Sequence, residues 1–205
     1  MVKELSHPLV TELINRLRKT ETDANQFQQT VEELSRILFY EASQSINLQN
    51  TTINTWRGIL PFEFIKQKEL VLIPIMRAGL PMLNGLQNLV PDAPNGFLAM
   101  KRDEVTHIAQ TYYQRLPECS DKTVFLLDPM LATGGSLSDA ITLVKQYHPK
   151  EIFSLNIIGS PEGIQAVLDK HPDITITIAQ IDEGLDENKF IYPGLGDAGD
   201  RTYKT

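Results

Sequence analysis

Short apolar runs and amphipathic stretches alternate along most of this chain. Four apolar runs have the length and the aliphatic character of buried strands. They occupy residues 69–75, 124–127, 152–159 and 174–181. Between and after them, apolar residues recur at helical spacing, as in 137–147 and 161–170. Strands that alternate with helices predict an α/β fold with a doubly wound, mainly parallel sheet flanked by helices.

Two N-terminal helices and a hairpin are predicted before the first of these strands. Apolar residues recur at helical spacing from Leu9 to Leu17 and again from Phe27 to Ala42. A polar break at 20–23 separates the two runs, and Asp23 is placed to cap the second helix. Residues 51–63 combine alternation with turn residues, which predicts a small hairpin.

The middle of the chain contains a stretch without a clear apolar face. Residues 96–101 predict another strand, and the chain then stays polar up to Leu116. We therefore expect residues 101–116 to form a projecting, flexible β arm or lid. With 205 residues and 41% hydrophobic content, the chain suits one well-buried α/β domain over 1–205 and is short for two.

Charge and cysteine content narrow the classes of function. The net charge of −7 opposes nucleic-acid binding, which usually uses a basic surface. No apolar run approaches membrane-spanning length, and the first residues lack the apolar core of a signal peptide. The single cysteine excludes an internal disulfide, and the four histidines lie far apart. We expect a cytoplasmic protein without nucleic-acid or membrane partners and without a metal site built from side chains.

The segment 124–138 carries the strongest chemical signal. The strand ends at Asp128, and a loop reading ATGGS follows at 132–136 before a helical pattern begins. Ligands of open α/β sheets bind beyond the carboxyl ends of strands. A small-residue loop that enters a helix there can direct several N–H groups at one phosphate. Since a neighbouring carboxylate can accept hydrogen bonds from sugar hydroxyls, the segment predicts a ribose-phosphate site.

This loop has two alternatives to a ribose-phosphate site, a P-loop and an ordinary turn. A P-loop has a lysine after its last glycine, whereas this chain has Ser136 there, so hydrolysis of nucleoside triphosphates is disfavoured. An ordinary turn between a strand and a helix, in which glycine only permits positive φ, is the structural alternative. The combination of Asp128 with residues 132–136 favours phosphate binding.

Two further turns are candidate binding segments at the same edge of the sheet as the loop 132–136. Arg77 follows the strand at 69–75, where a guanidinium and nearby backbone amides could hold one anion; a solvated surface arginine is the alternative. Residues 191–199, reading IYPGLGDAG, contain the spacing G-x-G-x-x-G. A dinucleotide site is disfavoured because no second βα unit follows and too few residues remain for a helix. We expect a binding loop in which Asp197 lies near a flat ligand, the alternative being a frayed tail.

These motifs resemble those of the uracil phosphoribosyltransferase family over essentially the whole chain. The matching segments are HPLV at 7–10, YEA at 40–42, PIMRAGL at 74–80, DPMLATGGS at 128–136 and PGLGDAGDR at 193–201. The last two are highly specific to that family. Related phosphoribosyltransferases usually carry two adjacent acids where this chain has Asp128 and Pro129.

The resemblance implies a type I phosphoribosyltransferase fold and a reaction. Uracil and 5-phosphoribosyl-1-pyrophosphate (PRPP) would give UMP and pyrophosphate, with Mg²⁺ as cofactor. Asp128 would hold the ribose hydroxyls, residues 132–136 the 5′-phosphate, and Arg77 and Arg102 the pyrophosphate oxygens. The implied PRPP-binding set is Arg77, Arg102, Asp128, Pro129, Met130, Leu131, Ala132, Thr133, Gly134, Gly135, Ser136 and Asp197.

The resemblance also assigns the base and the catalytic groups. Uracil would be read largely through backbone groups in the C-terminal segment 182–205. The implied uracil-binding residues are Ile191, Gly196, Asp197 and Ala198, and the implied catalytic residues are Asp197, Arg77 and Asp128. The family further implies a homodimer or a higher homo-oligomer, with GTP as a candidate allosteric activator.

A few positions depart from the family pattern. Pro81 stands where glycine is common, Lys101 where an aromatic residue is expected and Tyr192 where Val or Ile is usual. The end of the chain, at 203–205, reads YKT in place of FGT. These departures bear on the shape of the base pocket and on nucleotide regulation. They leave the PRPP-binding motif at 128–136 intact.

Two other functions stay open at this point. One is a regulatory relative that binds UMP and controls pyrimidine gene expression through RNA, which would need a basic face. The other is transfer of the phosphoribosyl group to a different base, such as a purine.

Overall fold

A mostly parallel sheet runs through the middle of the protein. The computed structural model describes the backbone of residues 1–102 and 109–205, and the side chains of residues 1–100 and 112–205. The strands are β1 (Val2–Glu4), β2 (Leu48–Thr55), β3 (Gly58–Ile65), β4 (Leu70–Met76), β5 (Phe97–Arg102), β6 (Ala109–Arg115), β7 (Thr123–Leu127), β8 (Met130–Leu131), β9 (Glu151–Gly159), β10 (Thr175–Ile181), β11 (Gly184–Leu185) and β12 (Ile191–Tyr192). The helices are α1 (Pro8–Arg18), α2 (Ala24–Ala42), α3 (Leu80–Gln87), α4 (Gly135–Lys145), α5 (Pro161–Lys170) and α6 (Ala198–Tyr203), with 3₁₀ turns at Ser43–Ser45 and Gln67–Glu69.

The central sheet has the strand order β1-β10-β9-β7-β4-β5-β6, and the short β8 pairs with β9. Every neighbouring pair is parallel except β5 with β6, which is antiparallel. Because β4 and β7 are adjacent and parallel, their carboxyl ends meet at the same edge of the sheet. The predicted α/β fold with a mainly parallel sheet is confirmed.

Apolar side chains cover both faces of the sheet. Along β4, Leu72 belongs to one buried cluster, whereas Val71 and Ile73 belong to the other. The first cluster includes side chains of α1, α2 and α3, and the second includes those of α4 and α5. This alternation is what a strand buried on both sides requires.

The N-terminal predictions are confirmed in most details. Two helices precede the sheet, and the Asp23 side chain accepts a hydrogen bond from the Gln26 amide at 2.9 Å, which caps α2. The hairpin predicted at 51–63 forms from β2 and β3 and is longer than expected. The edge strand β1 was not predicted, because it is only three residues long and Val2 is its one apolar residue.

The predicted arm is built as an extension of the sheet edge. Strand β5 pairs with β4 only at Leu98 and Ala99, whereas its antiparallel pairing with β6 continues to Arg102 opposite Ala109. The two strands therefore reach beyond the rest of the sheet. Closure of residues 101–116 over a ligand stays a prediction, and part of this stretch lies outside the described residues.

The expectation that no helix follows the glycine-rich loop is wrong. Helix α6 begins immediately after Asp197, whose side chain accepts a hydrogen bond from the Asp200 amide at 2.9 Å. This cap allows a short helix despite the glycine in its first turn. Within the described part of the chain, no helix is both long and apolar enough to cross a membrane.

Candidate active site

A cavity of about 320 Å³ lies at the carboxyl ends of β4 and β7. It brings together four segments that are far apart in the sequence: the turn after β4, Met100 in β5, the loop after β7 and the N-cap of α6. The lining residues are Ile75, Met76, Arg77, Ala78, Met100, Asp128, Met130, Leu131, Ala132, Thr133, Gly134, Gly135, Ser136, Leu137 and Asp197. The three predicted turns therefore open on one rim, as the positions of their strands indicate.

The loop after β7 enters α4 through a left-handed glycine. Gly134 has φ of +78°, and no side chain forms a capping hydrogen bond at this end of the helix. The first backbone N–H groups of an α-helix have no partner within the helix. These amides, together with the helix dipole, make the loop suited to an anionic group such as a phosphate.

Helix α5 packs against the loop 132–136 on the side away from the cavity. The Ser160 hydroxyl donates a hydrogen bond to the Ala132 carbonyl at 2.6 Å and accepts one from the Gly163 amide at 2.9 Å. A Cβ atom added at Gly134 would lie 2.5 Å from the Gly163 carbonyl oxygen, and one added at Gly163 would collide with the Ala132 carbonyl. The loop and α5 thus approach each other as closely as two backbones can.

Asp128 follows directly after β7 and lines the cavity together with this loop. Burial raises its pKa from the usual value to about 7, and a weak hydrogen bond from the Met130 amide, at 3.4 Å, opposes that rise. Its main-chain carbonyl accepts a hydrogen bond from the buried Asn156 side chain at 2.7 Å, and Ser154 in turn donates to Asn156 at 2.7 Å. The position of Asp128 is therefore fixed by polar groups inside β9.

Arg77 lies in a tight turn between β4 and α3. The Gly79 amide donates to the Ile75 carbonyl at 2.9 Å, and a Cβ atom added at Gly79 would collide with the Leu127 carbonyl of β7. The peptide bond between Met76 and Arg77 is cis. The turn is thus packed directly on the neighbouring strand, and the Arg77 side chain faces the cavity from the β4 side.

The glycine-rich loop before α6 exposes the backbone at Gly196 as well as the side chains of Tyr192 and Pro193. Gly194 and Gly196 have φ of +64° and +81°, so both adopt the left-handed conformation. The side chains of Ile191 and Ala198 are buried in the apolar core. A ligand beside this loop would therefore meet main-chain N–H and C=O groups, with Asp197 as the acidic side chain at the cavity.

Two buried or half-buried arginines attach this loop to the N-terminal helices. Arg18 of α1 binds Asp182 and the Gly194 carbonyl, and Asp182 also accepts a hydrogen bond from the Gly194 amide at 3.0 Å. Arg201 of α6 donates to carbonyls of Leu17 and, at 2.8 Å, Leu195. The loop is thus held in place from both ends.

The predicted site residues divide into three groups. Arg77, Asp128, Met130, Leu131, Asp197 and the loop 132–136 line the cavity. Pro129, Gly196 and Ala198 lie next to lining residues in the chain and do not line the cavity themselves, and Ile191 lies six positions before Asp197 and does not line it either. The side chain of Arg102 lies outside the described residues, and its role stays a prediction.

Several residues that shape the site were not identified from the sequence. Asn156 is a polar residue within a mostly apolar strand, and Ser160 precedes the proline that starts α5, so both positions carried a local signal. Arg18 and Asp182 carried none. They are polar residues at the ends of separate elements, and only the folded chain brings them together.

The cavity offers few metal ligands of its own. Asp128 and Asp197 are the carboxylates among the residues that line it. Among the described residues there is no group of three or more His, Cys, Asp or Glu side chains that could hold a metal ion. This donor set fits a Mg²⁺ ion that keeps most of its ligands from substrate oxygens and water, as Mg²⁺ commonly does with phosphate substrates.

The parallel sheet, with the loop 132–136 after an acidic strand end and the arginine turn beside it, has the fold of the phosphoribosyltransferases. A solved adenine phosphoribosyltransferase from Trypanosoma brucei, in complex with AMP, pyrophosphate and ribose-5-phosphate, has the same fold. Its TM-score is 0.59 at 12% identity, with 90% of this chain and 86% of that chain covered.

The particular family follows from closer relatives. The family model described as uracil phosphoribosyltransferase matches residues 4–205. The uracil phosphoribosyltransferase of Aquifex aeolicus (strain VF5) is 41% identical over 203 residues, which cover 99% of this chain and 98% of that protein. The solved structure of AQ2163 protein from Aquifex aeolicus has a TM-score of 0.96 at 41% identity, with 99% and 98% of the two chains covered. The chain belongs to the uracil phosphoribosyltransferase family.

Proposed function

We propose that this protein transfers the 5-phosphoribosyl group of PRPP to uracil, giving UMP and pyrophosphate in a salvage route to pyrimidine nucleotides. The observation that carries the proposal is the single cavity that Arg77, Asp128, Asp197 and the loop 132–136 share. Those groups match the parts of the donor: a guanidinium for pyrophosphate, a carboxylate for ribose hydroxyls and backbone amides for the 5′-phosphate. Family membership gives independent support.

The donor is held at three points in this proposal. The free amides at the start of α4 bind the 5′-phosphate, and the Asp128 carboxylate accepts hydrogen bonds from the ribose hydroxyls. Arg77, at the end of the neighbouring strand, binds the pyrophosphate. Because these groups sit on adjacent parallel strands, the ribose lies between its two phosphate ends with its reactive carbon fixed.

The chemistry needs no nucleophilic side chain. The bond between the ribose C1 and the pyrophosphate oxygen breaks, and pyrophosphate leaves with the electron pair. Uracil N1 forms the new bond to C1, and its proton passes to the departing pyrophosphate or to water. Negative charge grows on the leaving group, so the fixed positive charge of Arg77 stabilises the transition state more than the bound donor. When bound, Mg²⁺ supplies further positive charge at the pyrophosphate.

Backbone recognition suits the choice of uracil over cytosine. The main chain of residues 196–198 presents donors and acceptors in a fixed order, since Gly196 and the α6 cap hold the loop in one conformation. Cytosine differs from uracil by an exocyclic amine, which reverses part of the donor and acceptor pattern. A mismatch that leaves buried polar groups unpaired can lower kcat/KM for the wrong base by about 10⁴-fold.

A direct assay tests the proposal. Purified protein is incubated with PRPP, Mg²⁺ and one of uracil, cytosine, hypoxanthine or adenine, and nucleotide products are separated by chromatography. We expect UMP from uracil and at most traces of product from the other bases. Absence of UMP would refute the proposal, and a purine nucleotide as the main product would replace it with transfer to another base.

The regulatory alternative has less support. The relatives reported above carry the name of the enzyme, and the chain has a net charge of −7. Filter binding of pyrimidine-gene leader RNA at moderate salt, with and without UMP, tests this alternative. Retention of RNA only in the presence of UMP would favour it.

We further propose that the protein works as a homo-oligomer in the cytoplasm. The hairpin formed by β2 and β3 exposes large apolar side chains; Trp56 is 88% and Ile59 70% exposed. Since a two-stranded hairpin on its own is only marginally stable in water, a second copy that covers this surface would stabilise it. Activation by GTP stays a prediction, and UMP formation with and without GTP tests it.

A further inference from the structure

The guanidinium of Arg77 is held by residues at the end of the chain. Its Nη2 donates a hydrogen bond to Asp200 Oδ1 at 3.2 Å, and its Nη1 donates to the Thr205 hydroxyl, also at 3.2 Å. The Thr205 hydroxyl in turn donates to the same Asp200 oxygen at 2.9 Å. The three groups form a closed triangle, and the Tyr203 ring lies 5.8 Å from the guanidinium carbon.

Helix α6 connects this triangle to the loop at the cavity. Asp197 is the N-cap of α6 and Asp200 lies in its first turn, and the Asp200 amide donates to the Asp197 side chain. A Cβ atom added at Gly199, between them, would lie 3.2 Å from the Asp197 carboxylate and 3.8 Å from Arg77 Nη2. The Arg77 guanidinium and the Asp197 carboxylate are thus close neighbours across the bare backbone of Gly199.

The contact between Arg77 and Asp200 is too exposed to serve mainly for stability. Their side chains are 55% and 49% exposed, and ion pairs of that kind add little to the free energy of folding. A guanidinium is a rigid fork with five N–H donors. Two hydrogen bonds from different nitrogens, one to Asp200 in α6 and one to Thr205 just after it, therefore set its plane, and they leave its other donors available to an anion in the cavity.

We propose that Asp200, assisted by Thr205, is a positioning residue that aims Arg77 at the pyrophosphate of the donor. The inference rests on the proposed function, because that function assigns pyrophosphate as the ligand of Arg77. Asp200 acts through Arg77 and does not itself touch substrate. Since α6 also carries Asp197 and follows the loop assigned to uracil, the same helix orients the groups at both ends of the reacting bond.

Kinetics of Asp200→Asn, Asp200→Glu and Thr205→Val test the proposal, with Asp92→Asn as the matched control at an exposed turn outside the cavity. We expect Asp200→Asn to lower kcat/KM for PRPP by about 10- to 100-fold, because misplaced groups of this kind lose rate steeply. Asp200→Glu should recover part of the loss, Thr205→Val should lose less, and all melting temperatures should stay near the wild-type value. Unchanged kinetics in Asp200→Asn would overturn the proposal.

A double variant separates positioning from a general structural effect. In an Arg77→Gln background, Asp200→Asn should have no further effect on kcat/KM. An equal loss in both backgrounds would mean that Asp200 does not act through Arg77. Tighter donor binding in Asp200→Asn would mean that Asp200 only competes with pyrophosphate for Arg77, which also contradicts the proposal.

Calorimetry with pyrophosphate and with ribose 5-phosphate keeps the test independent of turnover. We expect Asp200→Asn to weaken binding of pyrophosphate and to leave binding of ribose 5-phosphate unchanged. Equal pyrophosphate affinity in wild type and variant would overturn the inference. Failure of the proposed function would instead appear as a wild-type protein that forms no UMP.

Discussion

Arg18 and Asp182 form a two-pronged ion pair between α1 and the end of β10, although 164 positions separate them in the chain. The nitrogen–oxygen distances are 2.6 Å and 3.0 Å, and the Asp182 side chain is completely buried. Both residues also bind the backbone of Gly194. The pair therefore fixes the loop that we assign to uracil recognition.

Removal of one partner should be strongly destabilising. In Arg18→Ala the Asp182 carboxylate would stay buried without its counter-ion, so we expect a loss of about 3 to 5 kcal/mol in the free energy of unfolding. Arg16→Ala, on the exposed side of the same helix, should change it by less than about 1 kcal/mol. Urea unfolding of both variants measures the difference. Equal stability of the two variants would show that the buried pair is dispensable.

The pKa of Asp128, raised to about 7 by burial, predicts that stability and donor binding change in opposite directions with pH. An unfolded aspartate has a pKa of about 3.9. The folded state therefore holds the proton more tightly, and its contribution to stability is complete below about pH 4 and lost as the pH rises towards 7. Ribose hydroxyls donate hydrogen bonds to the ionised carboxylate, so donor binding should tighten over the same rise.

Calorimetric titration of PRPP between pH 5.5 and 8.5 tests this expectation, the range being chosen to span roughly the raised pKa of Asp128. Phosphate groups of the donor also titrate near pH 6, which makes Asp128→Asn the necessary control. We expect the variant to bind PRPP more weakly at pH 8 and to retain only the pH dependence that belongs to the donor. The same pH profile in wild type and variant would exclude Asp128 as the titrating group.

Gly134 should tolerate no side chain. Its positive φ disfavours L-residues by about 1 to 2 kcal/mol, and a Cβ atom would in addition lie 2.5 Å from the Gly163 carbonyl. We expect Gly134→Ala to lose stability and to raise the KM for PRPP, because the phosphate loop must move away from α5. Gly58→Ala is the matched control, since Gly58 also has positive φ but has no atom within 4 Å of the added Cβ.

Chemical unfolding and steady-state kinetics on both glycine variants separate the two effects. Backbone strain should lower the free energy of unfolding in both variants, whereas the KM for PRPP should rise in Gly134→Ala alone. A wild-type KM in Gly134→Ala would argue against the phosphate assignment of this loop.

Local patterns predicted much of the site. The strand ends at Arg77 and Asp128 were visible because long apolar runs stop abruptly there, and parallel strands place such ends on one rim. Helix α6 was missed because glycine and aspartate favour turns over helices, and its stability comes from the Asp197 cap and from Arg201, which contacts α1 and its end. The pairs that depend on distant partners, such as Arg18 with Asp182, leave no local trace in a single sequence.

The exposed hairpin predicts how the protein associates. Phe62 and Phe64 are 45% and 42% exposed and line an apolar concave surface together with Trp56. If a second copy covers this surface, Phe62→Asp combined with Phe64→Asp should produce monomers. Leu89→Asp, which changes a similarly exposed residue outside the hairpin, should keep the wild-type mass. Multi-angle light scattering measures all three, and a monomeric wild-type protein would contradict the expectation.

The central claim is that the cavity at the ends of β4 and β7 transfers a phosphoribosyl group to uracil and excludes water as the acceptor. The most direct measurement is the release of pyrophosphate from PRPP by purified protein, followed together with UMP in the presence and absence of uracil. We expect equal amounts of pyrophosphate and UMP, and almost no pyrophosphate without uracil. Release of pyrophosphate that does not depend on uracil, or no release at all, would contradict the account.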